Sequence, residues 1–315
     1  MIQKVSIIIP VYNAEKYIDR CLKSIANQTL GKFEVIIVND CSTDNSKNLI
    51  NNFIKEDSRF RLINHTENMG AMCARETGYT NAIADYLLFV DSDDYLPLNA
   101  IELLYNKIVN EDADIVIGGM KYVNSKKTIS IYSPPIKIFC NNEEIVKSFL
   151  RGTIHGGIAS NIYKRSLFQI DFMTFKGMSI SEDSLMSFQL IDNVNKVAVL
   201  NEIVYYYFMN ENSSSHNINM QGFKSKINAD KFVYRKYCKN RNYTSELNAF
   251  IIRSIGRLVL SGCPKEYLID AYDFVDVKKL MRLSNIYRYL RDYKVIISFL
   301  LYHFNIYKSK INGNV

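Results

Sequence analysis

Short apolar runs rich in β-branched residues alternate with helix-periodic segments along the first part of this chain. Val5-Ser6-Ile7-Ile8-Ile9, Phe33-Glu34-Val35-Ile36-Ile37-Val38, Phe60–Asn64 and Tyr86-Leu87-Leu88-Phe89-Val90 read as strands. Near-continuous apolar strands are buried on both faces, which requires helices above and below the sheet. Helical patterns fill the intervals. The first starts near Glu15 with Tyr17, Cys21, Leu22 and Ile25 on one face, the second carries Leu49, Ile50 and Phe53, and the third runs from about Ala71 to Ala84. Parallel strands need such crossovers, so an α/β fold with a mostly parallel sheet flanked by helices is predicted. Pro10 is expected to end the first strand.

The pattern then changes. Ile115-Val116-Ile117 is a further strand, Tyr122–Phe139 reads as extended or a hairpin broken by Pro134-Pro135, and Val197–Phe208 is strand-like and rich in Tyr and Val. Beyond Met220 the pattern is helical. A boundary in the polar stretch Asn210–Asn219 divides the chain into a sheet domain, residues 1–218, and a helical region, residues 219–315.

An open parallel sheet binds ligands beyond the carboxyl ends of its strands. Here those ends are Pro10-Val11-Tyr12-Asn13, Asn39-Asp40 and Asp91-Ser92-Asp93-Asp94. Tyr12 can stack on a base, and Asp40 can accept from a base N–H or from ribose hydroxyls. The clustered carboxylates after the fourth strand repel one another unless neutralised, and a hard cation such as Mg²⁺ or Mn²⁺ does this with few protein oxygens. The alternative for the cluster is an acidic turn or a cap for a helix near Leu98, and Asp94 is assigned the capping role. Arg75 follows the Asn68-Met69-Gly70 turn. It either meets a diphosphate as a bidentate donor or is a solvated helix residue. Neither G-x-G-x-x-G nor a P-loop is present.

Charge and cysteine usage bound the partners. Of 315 residues, 23% are charged and the net charge is +7, with Lys scattered rather than blocked, which argues against a nucleic-acid binder. Six cysteines show no C-x-x-C pair, as in a reduced, cytosolic protein. The Val5–Val11 run is too short for a signal sequence and no stretch reaches spanning length, so a cytoplasmic location is expected.

Val5-Ser6-Ile7-Ile8-Ile9-Pro10-Val11-Tyr12-Asn13, Val38-Asn39-Asp40-Cys41-Ser42-Thr43-Asp44, Asn68-Met69-Gly70, Arg75, Asp91-Ser92-Asp93-Asp94 and Glu182-Asp183 follow in this order. The set resembles the family 2 glycosyltransferases of the GT-A fold, over roughly residues 5 to 215. The resemblance implies an inverting transfer from a UDP-sugar, with Mn²⁺ or Mg²⁺, to a glycan or lipid-linked acceptor in cell-surface polysaccharide synthesis. It implies that Pro10, Tyr12 and Asp40 frame uracil, with Asn13, Asn68 and Ser92 alongside. Asp91 would contact ribose or metal-bound water, Asp93 would ligate the metal, and Arg75 would approach the diphosphate. Asp183 would be the general base, with Glu182 beside it near the acceptor. Ser181 can also cap a helix whose first turn holds these two acids.

Two positions depart from the family pattern. Glu76 follows Arg75 where Asn is frequent, and Phe208 follows Tyr207 where Arg is frequent. His216 can replace the missing cation at the diphosphate or ligate the metal, and His155 is a candidate acceptor contact. These departures leave a non-catalytic nucleotide-sugar-binding scaffold as the alternative; a sugar nucleotidyltransferase would need a Gly-rich loop after the first strand. In the C-terminal region, Ile286, Tyr289, Leu290, Tyr293, Ile296, Ile297, Leu300, Leu301 and Phe304 form one stripe opposite Arg288, Arg291 and Lys294. A helix of this kind over 285–307 suits a peripheral place on the inner membrane face, or packing on its own domain or on another subunit.

Overall fold

The computed structural model describes residues 3–170, 178, 180–209 and 218–275. The chain divides into two compact units. One comprises Met1–Val146, Ile154–Gly177 and Met186–Ser213; the other comprises Lys147–Thr153, Met178–Leu185 and Ser214–Val315.

The first unit is built on an eight-stranded mixed sheet. Its elements are β1 (Val5–Val11), α1 (Ile18–Ala26), β2 (Phe33–Asn39), α2 (Ser46–Phe53), β3 (Phe60–Asn64), α3 (Ala71–Thr80), β4 (Tyr86–Phe89), α4 (Ala100–Asn110), β5 (Ile115–Val123), β6 (Thr128–Tyr132), β7 (Asn161–Lys164) and β8 (Val197–Phe208). Strands β3, β2, β1 and β4 are parallel neighbours; β7 then joins β4 antiparallel. Strand β5 pairs with β8 along its length, and on its other side with β7 and then β6.

Every residue of β1 and β2 is buried. Each Ile, Val or Phe so buried contributes about 1.5–3 kcal/mol relative to exposure. Helix α1 covers this sheet with Ile18, Cys21, Leu22 and Ile25, the i, i+3, i+4, i+7 stripe of an amphipathic helix. The helix starts at Ile18 rather than near Glu15 because Ala14–Tyr17 is a turn closed by the Tyr17 N–H on the Ala14 carbonyl.

Pro10 lies inside β1, not at its end. The Ile8 carbonyl bonds toward β4 through Val90 and the Val11 carbonyl bonds toward β2 through Asp40. The missing Pro10 N–H therefore falls past the end of the β4 ladder, where no bond is lost. Gly118 and Gly119 accommodate an irregular register between β5 and β8. A Cβ on Gly119 would lie 2.8 Å from the Glu202 carbonyl oxygen.

In the second unit, α7 (Met220–Tyr237), α8 (Thr244–Leu260) and α9 (Lys265–Ala271) enclose Phe223, Ile227, Ile251, Ile255, Leu258 and Leu268. The Asn219 side chain caps α7 by accepting from the Gly222 N–H at 2.9 Å. Asp230, fully buried, accepts from Lys226, Ser254 and Tyr272, which ties the three helices together. The remaining helices are α5 (Asn142–Arg151) and α6 (Glu182–Leu190). No helix among the described residues is long and apolar enough to cross a membrane. The 285–307 stripe and His216 lie outside the described residues.

Candidate active site

The turns after β1 and β2 are laced together by short polar side chains. Asn13, at φ 50°, donates its N–H to Ser42 Oγ at 3.1 Å, and its Oδ1 accepts from the Thr43 N–H at 2.8 Å. Asp44 accepts from the Glu15 N–H at 2.9 Å and from the Ser46 N–H at 3.0 Å. This lacing leaves Tyr12 half exposed, at 50%.

Asp40 is buried, and both its oxygens are engaged. Oδ1 accepts from the Met69 N–H at 2.9 Å, Oδ2 accepts from the Gly70 N–H at 2.8 Å, and His65 Nδ1 sits 2.8 Å from Oδ1. In this state Asp40 fastens the Asn68-Met69-Gly70 turn, where Gly70 at φ 89° starts α3. Asn68 is exposed on that turn.

Arg75 is buried on α3 rather than solvated, which closes that alternative. Its Nη2 donates to Asp91 Oδ1 at 2.7 Å and its Nη1 to Met72 Sδ at 3.3 Å. The buried guanidinium is thus paired with a partly exposed carboxylate.

Asp94 does not cap α4, which begins at Ala100. It is buried and latches strand β8: Tyr205 Oη donates to Oδ2 at 2.7 Å and the Phe208 N–H to Oδ1 at 2.7 Å. The same Tyr205 hydroxyl accepts from the Asp91 N–H at 3.1 Å. Tyr95 and Tyr206 pair through their backbones and stack at 4.8 Å. Burial raises the Asp94 carboxyl well above the usual carboxylate range, and the charges of Asp93 and Asp91 raise it further.

Asp93 and Ser92 face an open cavity of about 440 Å³, which Tyr12, Asn13, Glu15, Lys16, Tyr17 and Asp44 also line. The structure thus brings Tyr12, Asn13, Ser92 and Asp93 to one cavity, at the carboxyl ends of β1, β2 and β4. Asp40, Arg75 and Asp91 are not among the residues that line it. A second cavity, of about 530 Å³, lies between Tyr79, Tyr86, Lys164 and Arg165 at the amino end of β4, away from this rim. His155 is elsewhere on the unit: it is exposed, its ring lies 5.5 Å from that of Tyr132, and its Nδ1 accepts from the Gly157 N–H at 2.9 Å.

Glu182 and Asp183, both partly exposed, occupy the first turn of α6 in the second unit. Acids there are favoured by the helix dipole. Ser181 is at φ 65°, not in the extended conformation of an ordinary N-cap, and its carbonyl accepts from the Leu185 N–H at 3.1 Å.

The donor set fits a hard cation shared with a ligand. Among the described residues no group of three His, Cys, Asp or Glu side chains could cage a metal ion. Asp91 is bonded to Arg75 and Asp94 to β8; of the 91–94 turn it is Asp93 whose carboxylate lines the cavity, which Glu15 and Asp44 line as well. Mg²⁺ and Mn²⁺ are held in this manner by one or two carboxylates, with phosphate and water completing the shell. The site residues missed in the sequence are Arg20, whose Nη2 donates to the Asp93 carbonyl at 2.6 Å, and Tyr205. The run of Tyr at 205–207 is the one visible signal for the second.

The fold and this rim define a nucleotide-sugar transferase architecture. Residues 6–170 match the family model for glycosyl transferase family 2. The chain belongs to that family. Glycosyltransferase GlyA of Streptococcus pneumoniae serotype 4 is 34% identical over 67% of this chain and 31% of its own length. EpsH of Bacillus subtilis (strain 168) is 28% identical over 79% of this chain and 74% of its own. The chain therefore spans about a third of the first relative and about three quarters of the second. The structure of S. aureus TarS 1-349 in complex with UDP-GlcNAc superposes with a TM-score of 0.59 at 20% identity, covering 95% of this chain and 92% of that one, a likeness of fold.

Proposed function

We propose that this chain is an inverting glycosyltransferase. It moves a sugar from a UDP-sugar to a hydroxyl of a glycan or lipid-linked acceptor in cell-surface polysaccharide synthesis. The observation that carries the reading is the single cavity where Tyr12, Asn13, Ser92 and Asp93 meet. Tyr12 offers an exposed ring to the base. Asp40 holds the Met69-Gly70 turn against which the nucleotide is framed. Arg75, fixed by Asp91, brings positive charge toward the diphosphate. Asp93 would hold Mn²⁺ or Mg²⁺, which when bound supplies charge stabilisation to the departing diphosphate.

Asp183 is the base in this reading. It takes the proton of the acceptor hydroxyl, a role worth on the order of 10²–10⁴ in rate. Glu182 beside it orients the acceptor. The aromatic and basic stripe over 285–307 supports docking on an anionic membrane surface, where lipid-linked acceptors reside. The structure of TarS 1-349 is in complex with UDP-GlcNAc, which makes that donor the first to test.

A panel of UDP-sugars with Mn²⁺, read by thermal shift, tests the donor class. A ligand that binds the folded state raises its apparent stability, so the true donor shifts the transition beyond UDP-sugars that do not fit. The absence of a shift with every UDP-sugar would remove the reading.

A further inference from the structure

Helix α1 delivers one cation to the acidic turn after β4. Arg20 Nη2 donates to the Asp93 backbone carbonyl at 2.6 Å. The guanidinium lies 4.1 Å from the ring centre of Phe208, 4.6 Å from that of Tyr95 and 6.0 Å from that of Tyr17. Tyr95 is itself stacked on Tyr206, so this aromatic cage belongs to the same stitching that holds the turn on β8.

Two details separate Arg20 from an ordinary structural arginine. Its Nε is buried without a hydrogen-bond partner. Among the described residues it has no ion-pair partner, although three carboxylates stand in the neighbouring turn. An arginine that only tied a helix to a loop would be expected to form the bidentate carboxylate pair for which its fork is shaped. Here aromatic faces hold the cation without neutralising it. Its one strong bond goes to the backbone of the residue whose side chain lines the cavity.

We infer that Arg20 is a positioning residue: it fixes the Asp93 backbone, and so the direction of the Asp93 carboxylate. This rests on the proposed metal role of Asp93. The chain of action is short. The bond to the carbonyl limits rotation of the 92–94 backbone. The Asp93 side chain leaves that backbone toward the cavity. The cage of Phe208, Tyr95 and Tyr17 prevents the guanidinium from swinging onto a carboxylate.

The test uses the full chain with UDP and MnCl₂ as probes. UDP affinity is measured by calorimetry in Mn²⁺ and in EDTA, Mn²⁺ binding to the UDP complex by electron paramagnetic resonance, and Tm on the same samples. In Arg20→Gln the Mn²⁺-dependent gain in UDP affinity falls at least tenfold, while metal-free UDP affinity stays within twofold of wild type. Arg20→Lys, which keeps the charge but not the fork, recovers part of the gain. Phe208→Leu, which opens the cage and leaves Arg20 in place, gives an intermediate loss. An Arg20→Gln protein with the full Mn²⁺-dependent gain would overturn the inference, as would one that loses metal-free affinity and Tm in parallel. A wild-type protein that shows no Mn²⁺-dependent gain would overturn the metal reading of Asp93 and this inference with it.

Discussion

Removing the Asp94 carboxylate should release strand β8 from the acidic turn, and the size of the effect follows from burial. Asp94 is 1% exposed and Tyr205 0%. Asp94→Ala strands two donors, the Tyr205 hydroxyl and the Phe208 N–H. A buried donor left unpaired costs about 1–3 kcal/mol, so the variant should lose about 2–6 kcal/mol. Tyr205→Phe strands an Asp94 oxygen and the Asp91 N–H, by the same reckoning a loss of about 2–6 kcal/mol. The double variant counts their shared hydrogen bond once. The two losses should therefore fall short of additivity by about 1–3 kcal/mol. Urea unfolding of the wild type, the two single variants and the double variant measures this, with an unchanged m-value showing that the unfolding transition is the same one. Additivity within about 0.5 kcal/mol, the scatter expected of independent sites, would refute the latch.

Asp93→Ala should lose the Mn²⁺-dependent part of UDP binding, whereas Asp94→Asn should keep it; calorimetry with and without EDTA distinguishes them. Gly119→Ala should lose about 1–3 kcal/mol in a denaturant melt, because the new Cβ meets the Glu202 carbonyl oxygen at 2.8 Å in the β5–β8 pairing. Iodoacetamide at pH 8 should label the exposed Cys140 and Cys238 well before Cys263, as read by peptide mass spectrometry. Burial pushes the Cys263 thiol up to about 11. At pH 8 that leaves about a thousandth of it as the reactive thiolate.

The parallel half of the sheet was legible in the sequence because β1 and β2 are near-continuous apolar runs, buried at every residue, and helix-periodic segments separate the strands. The antiparallel half was harder. Strand β7 is the four-residue run Asn161–Lys164, with no alternation to mark it, and β6 is exposed over nearly its whole length. Helix α5 carries an ordinary amphipathic stripe, but the irregular segments on either side mask its ends. At the site, the motif residues were visible one by one, but their division of labour was not. Asp94 has the same chemistry as Asp93, and only the return of β8, more than a hundred residues later, makes one a latch and leaves the other on the cavity. Arg75 likewise needed Asp91 to show that it is buried. Arg20 carries no motif at all. Its significance comes from Tyr95 and Phe208, which reach it from other strands and turns.

Sugar transfer with Asp183 as base is read from UDP release under single-turnover conditions. Wild type and Asp183→Asn are compared with enzyme in excess over the UDP-sugar, in saturating Mn²⁺, with an acceptor that supports turnover. Asp183→Asn should bind UDP as tightly as wild type and generate it from the UDP-sugar about 10²–10⁴ times more slowly. Release by Asp183→Asn at the wild-type rate would contradict the base role.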